Sequence, residues 1–182
     1  MTSPLDKELG ERIMSLLAPA APSSWGLVIP GEPPTKSRPR FSNGRVYKLE
    51  ADTAAEDRTG WHLRQLFRSP LTGNVAVGAV FFRPDLRLID VDNMLKHVLD
   101  AANGIVWHDD SQVTALYGAA ELDAREPRTL VVIAPHASTL KRGTDNVATC
   151  RPCGGAFQPR TATQRFCSRD CAAASRRKAV SA

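Results

Sequence analysis

The segment RLIDVDNMLKHVLDAANGIVWHDDSQV, Arg87 to Val113, constrains the fold most, because it places a short apolar helix between two groups of acids. From Asn93 to Ala102 the apolar residues Met94, Leu95, Val98, Leu99 and Ala102 recur at i, i+1, i+4, i+5 and i+8. That spacing draws one apolar stripe along a helix. Asp92 suits the N-cap, where a carboxylate can accept a free amide of the first turn, and Asn103-Gly104 suits the C-terminal stop.

Asp92, Lys96 and Asp100, spaced i, i+4 and i+8, share one side of this helix. Asp90 precedes Asp92 by two, so in extended chain both side chains leave on one face. Beyond the helix the chain can return through Ile105 to Trp107, which brings Asp109 and Asp110 back beside the strand end. Asp90, Asp92 and one of Asp109 or Asp110 are therefore expected to converge, with Lys96 beside them. Clustered carboxylates repel one another and are tolerated chiefly around a cation. All-oxygen ligands with partial hydration suit Mg²⁺ or Mn²⁺. An ion held this way can activate water and stabilise charge on a phosphoryl group. The same residues admit a plainer reading: a cap at Asp92, a surface Lys96–Asp100 pair and a turn at Asp109-Asp110. Spacing alone does not choose between them.

Around this segment the pattern is that of a mixed α/β (α+β) domain. Asp6 to Leu17 reads as a short amphipathic helix, followed by the linker-like APAAPSS, and Trp25–Gly31 as a first strand stopped by prolines. TKSRPRFSNGRVYK, with the Asn43-Gly44 turn signal, has the composition of a hairpin or mobile loop. Leu49 to Arg68 reads as a helix with Leu63, Leu66 and Phe67 on one face, and Asn74–Arg83 as a strand. In SQVTALYGAAEL, Val113, Ala115 and Tyr117 alternate onto one face, and Thr129–Pro135 reads as a last buried strand. A compact mixed sheet with packed helices is the predicted architecture. Its expected division is an extension over 1–23, a core domain over 24–136, a linker over 137–148 and a cysteine tail over 149–182.

Length and composition agree. The 182 residues, 42% hydrophobic and 24% charged, suit one ordinary domain plus a small appendage. No run of roughly 18 apolar residues suggests a membrane span, and the N-terminus lacks a basic start followed by an apolar core, so a cytoplasmic protein is expected. The net charge of +5 is concentrated in the tail, which carries +6 from Thr149 onward against −1 for the rest. A polyanion such as nucleic acid is the first partner this implies.

The stretch IDVDNMLKHVLDAANGIVWHDDSQV resembles the RusA family of Holliday junction resolvases, whose signature is D-x-D-N-x-x-K, then D-A, then a W-x-D-D-x-Q-V-like segment. VIPGEPPTKSRPRF resembles that family's first strand and proline loop, and VFFRPDLRL the strand feeding the acids; the likeness runs from about Trp25 to Pro135. It implies a homodimeric, Mg²⁺-dependent endonuclease that nicks four-way DNA junctions symmetrically, leaving 3′-hydroxyl and 5′-phosphate ends. Position by position, Asp90, Asp92 and Asp110 match the essential acids and Lys96 the important lysine, with Asp100 and Asp109 supporting. Lys36, Arg38, Arg40 and Arg45 are expected to bind junction phosphates, which positions DNA without reading sequence. A merely solvated basic hairpin is the other reading of that loop.

The tail holds all four cysteines as Cys150-x2-Cys153, thirteen residues, then Cys167-x3-Cys171. Two close pairs across a short loop suit tetrahedral thiolate zinc, and the order of knuckle then helix suggests a treble-clef-like finger. Too short to bury a core, it would draw its folding free energy from the metal. Its basic residues, Arg176 and Arg177 among them, make it an accessory DNA grip or a protein-binding module. His62, His97, His108 and His136 show no ligand-like pairing and read as surface or loop residues. A second class of function stands beside the nuclease: a non-catalytic nucleic-acid-binding protein whose working part is the finger.

Overall fold

Asn74–Arg83 has apolar residues at odd and even positions alike, as expected of a strand covered on both faces. It becomes β4 (Val75–Arg83), an inner strand of the sheet. The computed structural model describes residues 3–35, 40–42, 45–47, 50–140, 148–157, 159, 164–168 and 171–175. In chain order it has α1 (Pro4–Leu17), β1 (Trp25–Pro30), β2 (Arg40–Ser42), β3 (Arg45–Tyr47), α2 (Glu50–Arg64), β4, and α3 (Val91–Ala102). A 3₁₀ turn η1 (Asp110–Gln112), β5 (Val113–Leu122), β6 (Arg128–Pro135), β7 (Ala148–Thr149) and β8 (Ala156–Phe157) follow.

The main sheet has the order β1-β6-β4-β5. β6 runs antiparallel to β1 and β4, whereas β5 runs parallel to β4. Parallel neighbours need a crossover, which α3 supplies. The mixed sheet with packed helices read from the sequence is thus what forms.

The two faces of β4 bury different partners. Val75, Val77, Ala79 and Phe81 point to α2 and α3, where they meet Leu63, Phe67, Met94, Val98 and Trp107. Ala76 and Val80 point to α1, where Ile13 and Met14 close the second face. The approach of α1 is close enough to require glycine: a Cβ on Gly78 would lie 2.4 Å from Ile13 Cγ2. Ser3 caps α1 by accepting the Asp6 N–H at 3.1 Å. Asp6 itself is 3% exposed and accepts from Arg128 Nη2 at 3.0 Å and from the Ser3 hydroxyl at 2.8 Å. Arg128 also bonds Asp123 and lies over the Phe82 ring, 3.8 Å from its centroid.

Several local expectations change. Ser111 and Gln112 belong to η1, so β5 begins at Val113. The register moves from Val75↔Val113 to Ala76↔Ala115, which leaves Thr114 as an extra residue. This bulge turns Val113 toward the α2–α3 core while Ala115 packs on the α1 side, so the expected common face for Val113, Ala115 and Tyr117 does not include Val113. Leu63 and Phe67 are buried as expected, whereas Leu66 is 41% exposed because α2 ends at Arg64 and the chain turns. His97 is buried, not superficial: its Nε2 lies 2.9 Å from Thr59 Oγ1 and links α3 to α2. His136 is half-buried, with Nδ1 2.7 Å from Thr114 Oγ1.

Burial pushes the Asp6 carboxyl up, but the bonds from Arg128 and Ser3 outweigh it and hold the group below its ordinary value of 3.8. A folded-state pKa below the unfolded one gives stability that is complete above the unfolded value and lost as pH falls through the folded one. Asp6→Ala is expected to cost roughly 1.5–3 kcal/mol at neutral pH, by removing the charge-assisted bonds to Arg128 while Asp123 still pairs the guanidinium. In urea unfolding, the gap between wild type and variant should shrink as the pH is taken below 3.8.

Candidate active site and cysteine cluster

α3 starts two residues before the expected Asn93. Its N-cap is Asp90, with φ −75° and ψ 128°, and not Asp92. The cause is tertiary. Val91 and Leu95 settle onto Gly118 of β5, where an added Cβ would lie 3.1 Å from Val91 Cγ1 and 2.5 Å from Leu95 Cδ1. That docking pulls Val91 into the helix and makes Asp92 a first-turn residue. The Asp90 carboxylate makes no capping bond; among the described residues its Oδ2 takes the Asn93 Nδ2 at 3.4 Å. The Asp92 carboxylate accepts the adjacent Asn93 N–H at 2.9 Å. Both acids are exposed at the positive end of the helix, and Lys96 is exposed one turn further on. Asp100 is half-buried on the same helix.

At the far end of α3 the chain turns through Gly104 at φ 72°, and Trp107 is fully buried with its Nε1–H donated to Asn103 Oδ1 at 3.0 Å. Asp109 caps η1 by accepting the Ser111 N–H at 2.9 Å, and Asp110 is its exposed first residue. What anchors this turn is Gln112, a residue to which sequence reasoning assigned no role. Its fully buried side chain donates to the carbonyls of Leu71 and Gly73 at 3.1 and 2.8 Å and accepts the His108 N–H at 2.8 Å. Three bonds to two segments tie the acidic turn to the chain just before β4. The available signal was a polar residue set between acids and an apolar strand.

Asp90 and Asp92 thus stand at one end of α3, and Asp109 and Asp110 follow its other end on a turn that packs against it. Among the described residues, the carboxylates do not gather within 4.8 Å of one another; the four cysteines do. Carboxylates with no cation between them gain more from water than from proximity. The donor set still fits a hard divalent ion, since it consists of exposed carboxylate oxygens with room for water. β2 and β3 pair as the expected hairpin, with Arg40 opposite Tyr47 and Arg45 opposite Ser42. Lys36, Arg38, Arg176 and Arg177, and the Asn43-Gly44 turn, lie outside the described residues.

In the tail, β7 and β8 form a two-stranded hairpin around the first cysteine pair. Cys150 N–H donates to Gly155 O at 2.8 Å and Gly154 N–H to Cys150 O at 2.7 Å, with Gly154 at φ 72°. The second pair opens a helical stretch over 171–175, where Cys171 N–H donates to Ser168 Oγ at 3.2 Å. Cys153 and Cys167 sulfurs are 3.6 Å apart, and Cys167 and Cys171 sulfurs 3.5 Å. The Cys167 N–H lowers the Cys150 thiol to about 7, whereas Cys167, bonded to Cys171, Cys150 and Cys153, is pushed up to about 12. Four sulfurs so close cannot all ionise unless a cation joins them, and a knuckle followed by a helix is compatible with a small zinc finger.

A mixed four-stranded sheet with exposed acids before and after its crossover helix, followed by a four-thiol cluster, defines a small α+β domain with a cysteine-rich appendage. The profile of the family Endodeoxyribonuclease RusA matches residues 30–134, more than half of the chain, and takes in every acid of the site. The chain belongs to that family, and so to the endodeoxyribonucleases. No curated protein matches it.

Gln112→Leu keeps the shape and leaves two carbonyls and one amide unmatched. Only the Gly73 carbonyl is fully buried, so the expected loss of stability is about 1–3 kcal/mol. Hydrogen exchange should speed up across the 106–112 turn while α1 keeps its protection.

Proposed function

We propose that this protein is a divalent-metal-dependent endonuclease that resolves four-way DNA junctions by paired symmetric nicks, in recombination and repair. The observation that carries the reading is the family match, which spans Asp90 and Asp92 at the start of α3, Lys96 within it and Asp110 on the η1 turn that follows it. In this reading Asp90, Asp92 and Asp110 hold Mg²⁺ or Mn²⁺, and Asp109 orients Asp110 by capping η1. Such an ion supplies acidity to a bound water and stabilises charge on the phosphate. Lys96, one turn from Asp92, offsets phosphate charge or orients the attacking water. Asp100 supports Lys96 from the next turn of the same helix face.

Lys36, Arg38, Arg40 and Arg45 grip backbone phosphates beside the site. Two matched nicks call for two sites, hence a homodimer. The dimer is further supported by β5, an outer strand bonded to β4 that exposes Leu116, Tyr117 and Leu122. The tail is a structural zinc finger on Cys150, Cys153, Cys167 and Cys171, with Arg176 and Arg177 as an accessory grip. It is joined to the nuclease core over 24–136 by the 137–148 linker.

Cleavage of a labelled synthetic junction, with linear duplex as control, tests the reading. Wild type should make paired nicks in Mg²⁺ and none in EDTA. Asp90→Asn should abolish cleavage while keeping or improving binding, because a charge that repels phosphate is removed. Tight binding without cleavage in Mg²⁺ or Mn²⁺ would instead favour a nucleic-acid-binding protein centred on the finger.

For the tail, elemental analysis should find one zinc per wild-type chain, lost in Cys150→Ser. Chelation should make the tail sensitive to protease while the core domain keeps its unfolding transition.

A further inference from the structure

The segment 84–89 leads from β4 to Asp90, and four charged side chains gather around it. Arg83, the last residue of β4, is 5% exposed; its Nη2 donates to Asp85 Oδ1 at 3.0 Å and lies 3.8 Å from Glu32 Oε1. Arg87 reaches the same two carboxylates, with Nε donating to Asp85 Oδ2 at 2.7 Å and Nη2 to Glu32 Oε1. Asp85 also accepts the Arg87 backbone N–H at 3.0 Å. Glu32 sits just after β1, beside the Pro33-Pro34 pair that leads to the basic hairpin. The cluster therefore joins the segment that delivers the catalytic acids to the segment that delivers the basic residues.

Arg83 is an unfavourable choice for stability. Its Nε and Nη1 are buried with no hydrogen-bond partner among the described residues. A buried guanidinium with two unmatched donors is less stable there than an apolar side chain of similar length. Its partners do not need it, since the side chains of Asp85 and Glu32 are 40% and 48% exposed and can be solvated by water.

We infer that Arg83 is a positioning residue for cleavage: through Asp85 and Glu32 it fixes the 84–89 segment, and with it the placement of Asp90 against the basic hairpin. The inference rests on the nuclease reading above and concerns a residue that does not touch DNA. A small displacement of reacting groups is enough to cost one to two orders of magnitude in rate.

The test compares wild type, Arg83→Met and Arg83→Lys on the labelled junction, beside thermal unfolding and amide exchange. Arg83→Met should unfold at the same temperature or higher, yet lose about tenfold or more in kcat with KM and junction binding within about twofold. Arg83→Lys, which keeps the charge, should recover part of the rate. Amide exchange over 84–92 should quicken in Arg83→Met while α2 is unchanged. Unchanged kcat overturns the inference, as does unchanged exchange over 84–92. A Met variant that is destabilised and slow in proportion makes Arg83 merely structural and also overturns it. Absence of cleavage by wild type would strike the nuclease reading itself, and the exchange arm would still decide whether Arg83 holds this segment.

Discussion

The close docking of α3 on the sheet is the constraint on which the site depends. β4 and β5 are parallel, so the chain must cross from the end of one to the start of the other, and α3 makes that crossing. It can lie close because position 118 has no side chain: Val91 and Leu95 occupy the space that a Cβ would need. From this single contact follow the helix start at Val91, the capping position of Asp90 and the first-turn position of Asp92. Met94 and Val98 then enter the core beside Trp107, and Gln112 ties the returning turn to the start of β4. The exposed acids are supported at both ends of the crossover by buried residues.

The support also explains how exposed carboxylates coexist with a stable fold. β4 is buried on both faces, by α1 on one side and by α2 and α3 on the other. α1 lies outside the matched family region, yet it covers the second face of β4 and β6 and is anchored there through Asp6 and Arg128. The tail depends on different physics. Among the described residues its two short strands and one helical stretch offer little apolar surface, and the four cysteine sulfurs lie within 4.8 Å of one another.

Legibility in the sequence followed the range of the interactions. The apolar stripe of α3, the strand expected over Asn74–Arg83, which forms as Val75–Arg83, and the spacing of Cys150, Cys153, Cys167 and Cys171 are local patterns, and each appears as expected. The cap was misplaced by two residues because Asp90 and Asp92 are chemically equal candidates, and only Gly118, far along the chain, distinguishes them. His97 looked like a surface residue because its partner, Thr59, is 38 positions away. The Thr114 bulge left no local mark and reversed the side of Val113. The Glu32–Arg87 pair, 55 residues apart, was equally invisible. The expected convergence of Asp90, Asp92 and Asp110 is not seen among the described residues, and spacing alone did not choose between that reading and a cap followed by a turn.

The central claim is that Asp90, Asp92 and Asp110 serve one divalent ion. Anomalous diffraction from crystals of the protein soaked in Mn²⁺ tests it directly. The account predicts a manganese peak bounded by carboxylate oxygens of Asp90, Asp92 and Asp110, with Lys96 beside it and the 108–112 turn drawn toward the start of α3. A peak at other residues, or an ion-free site with Asp110 still apart from Asp90 and Asp92 at saturating Mn²⁺, would contradict it.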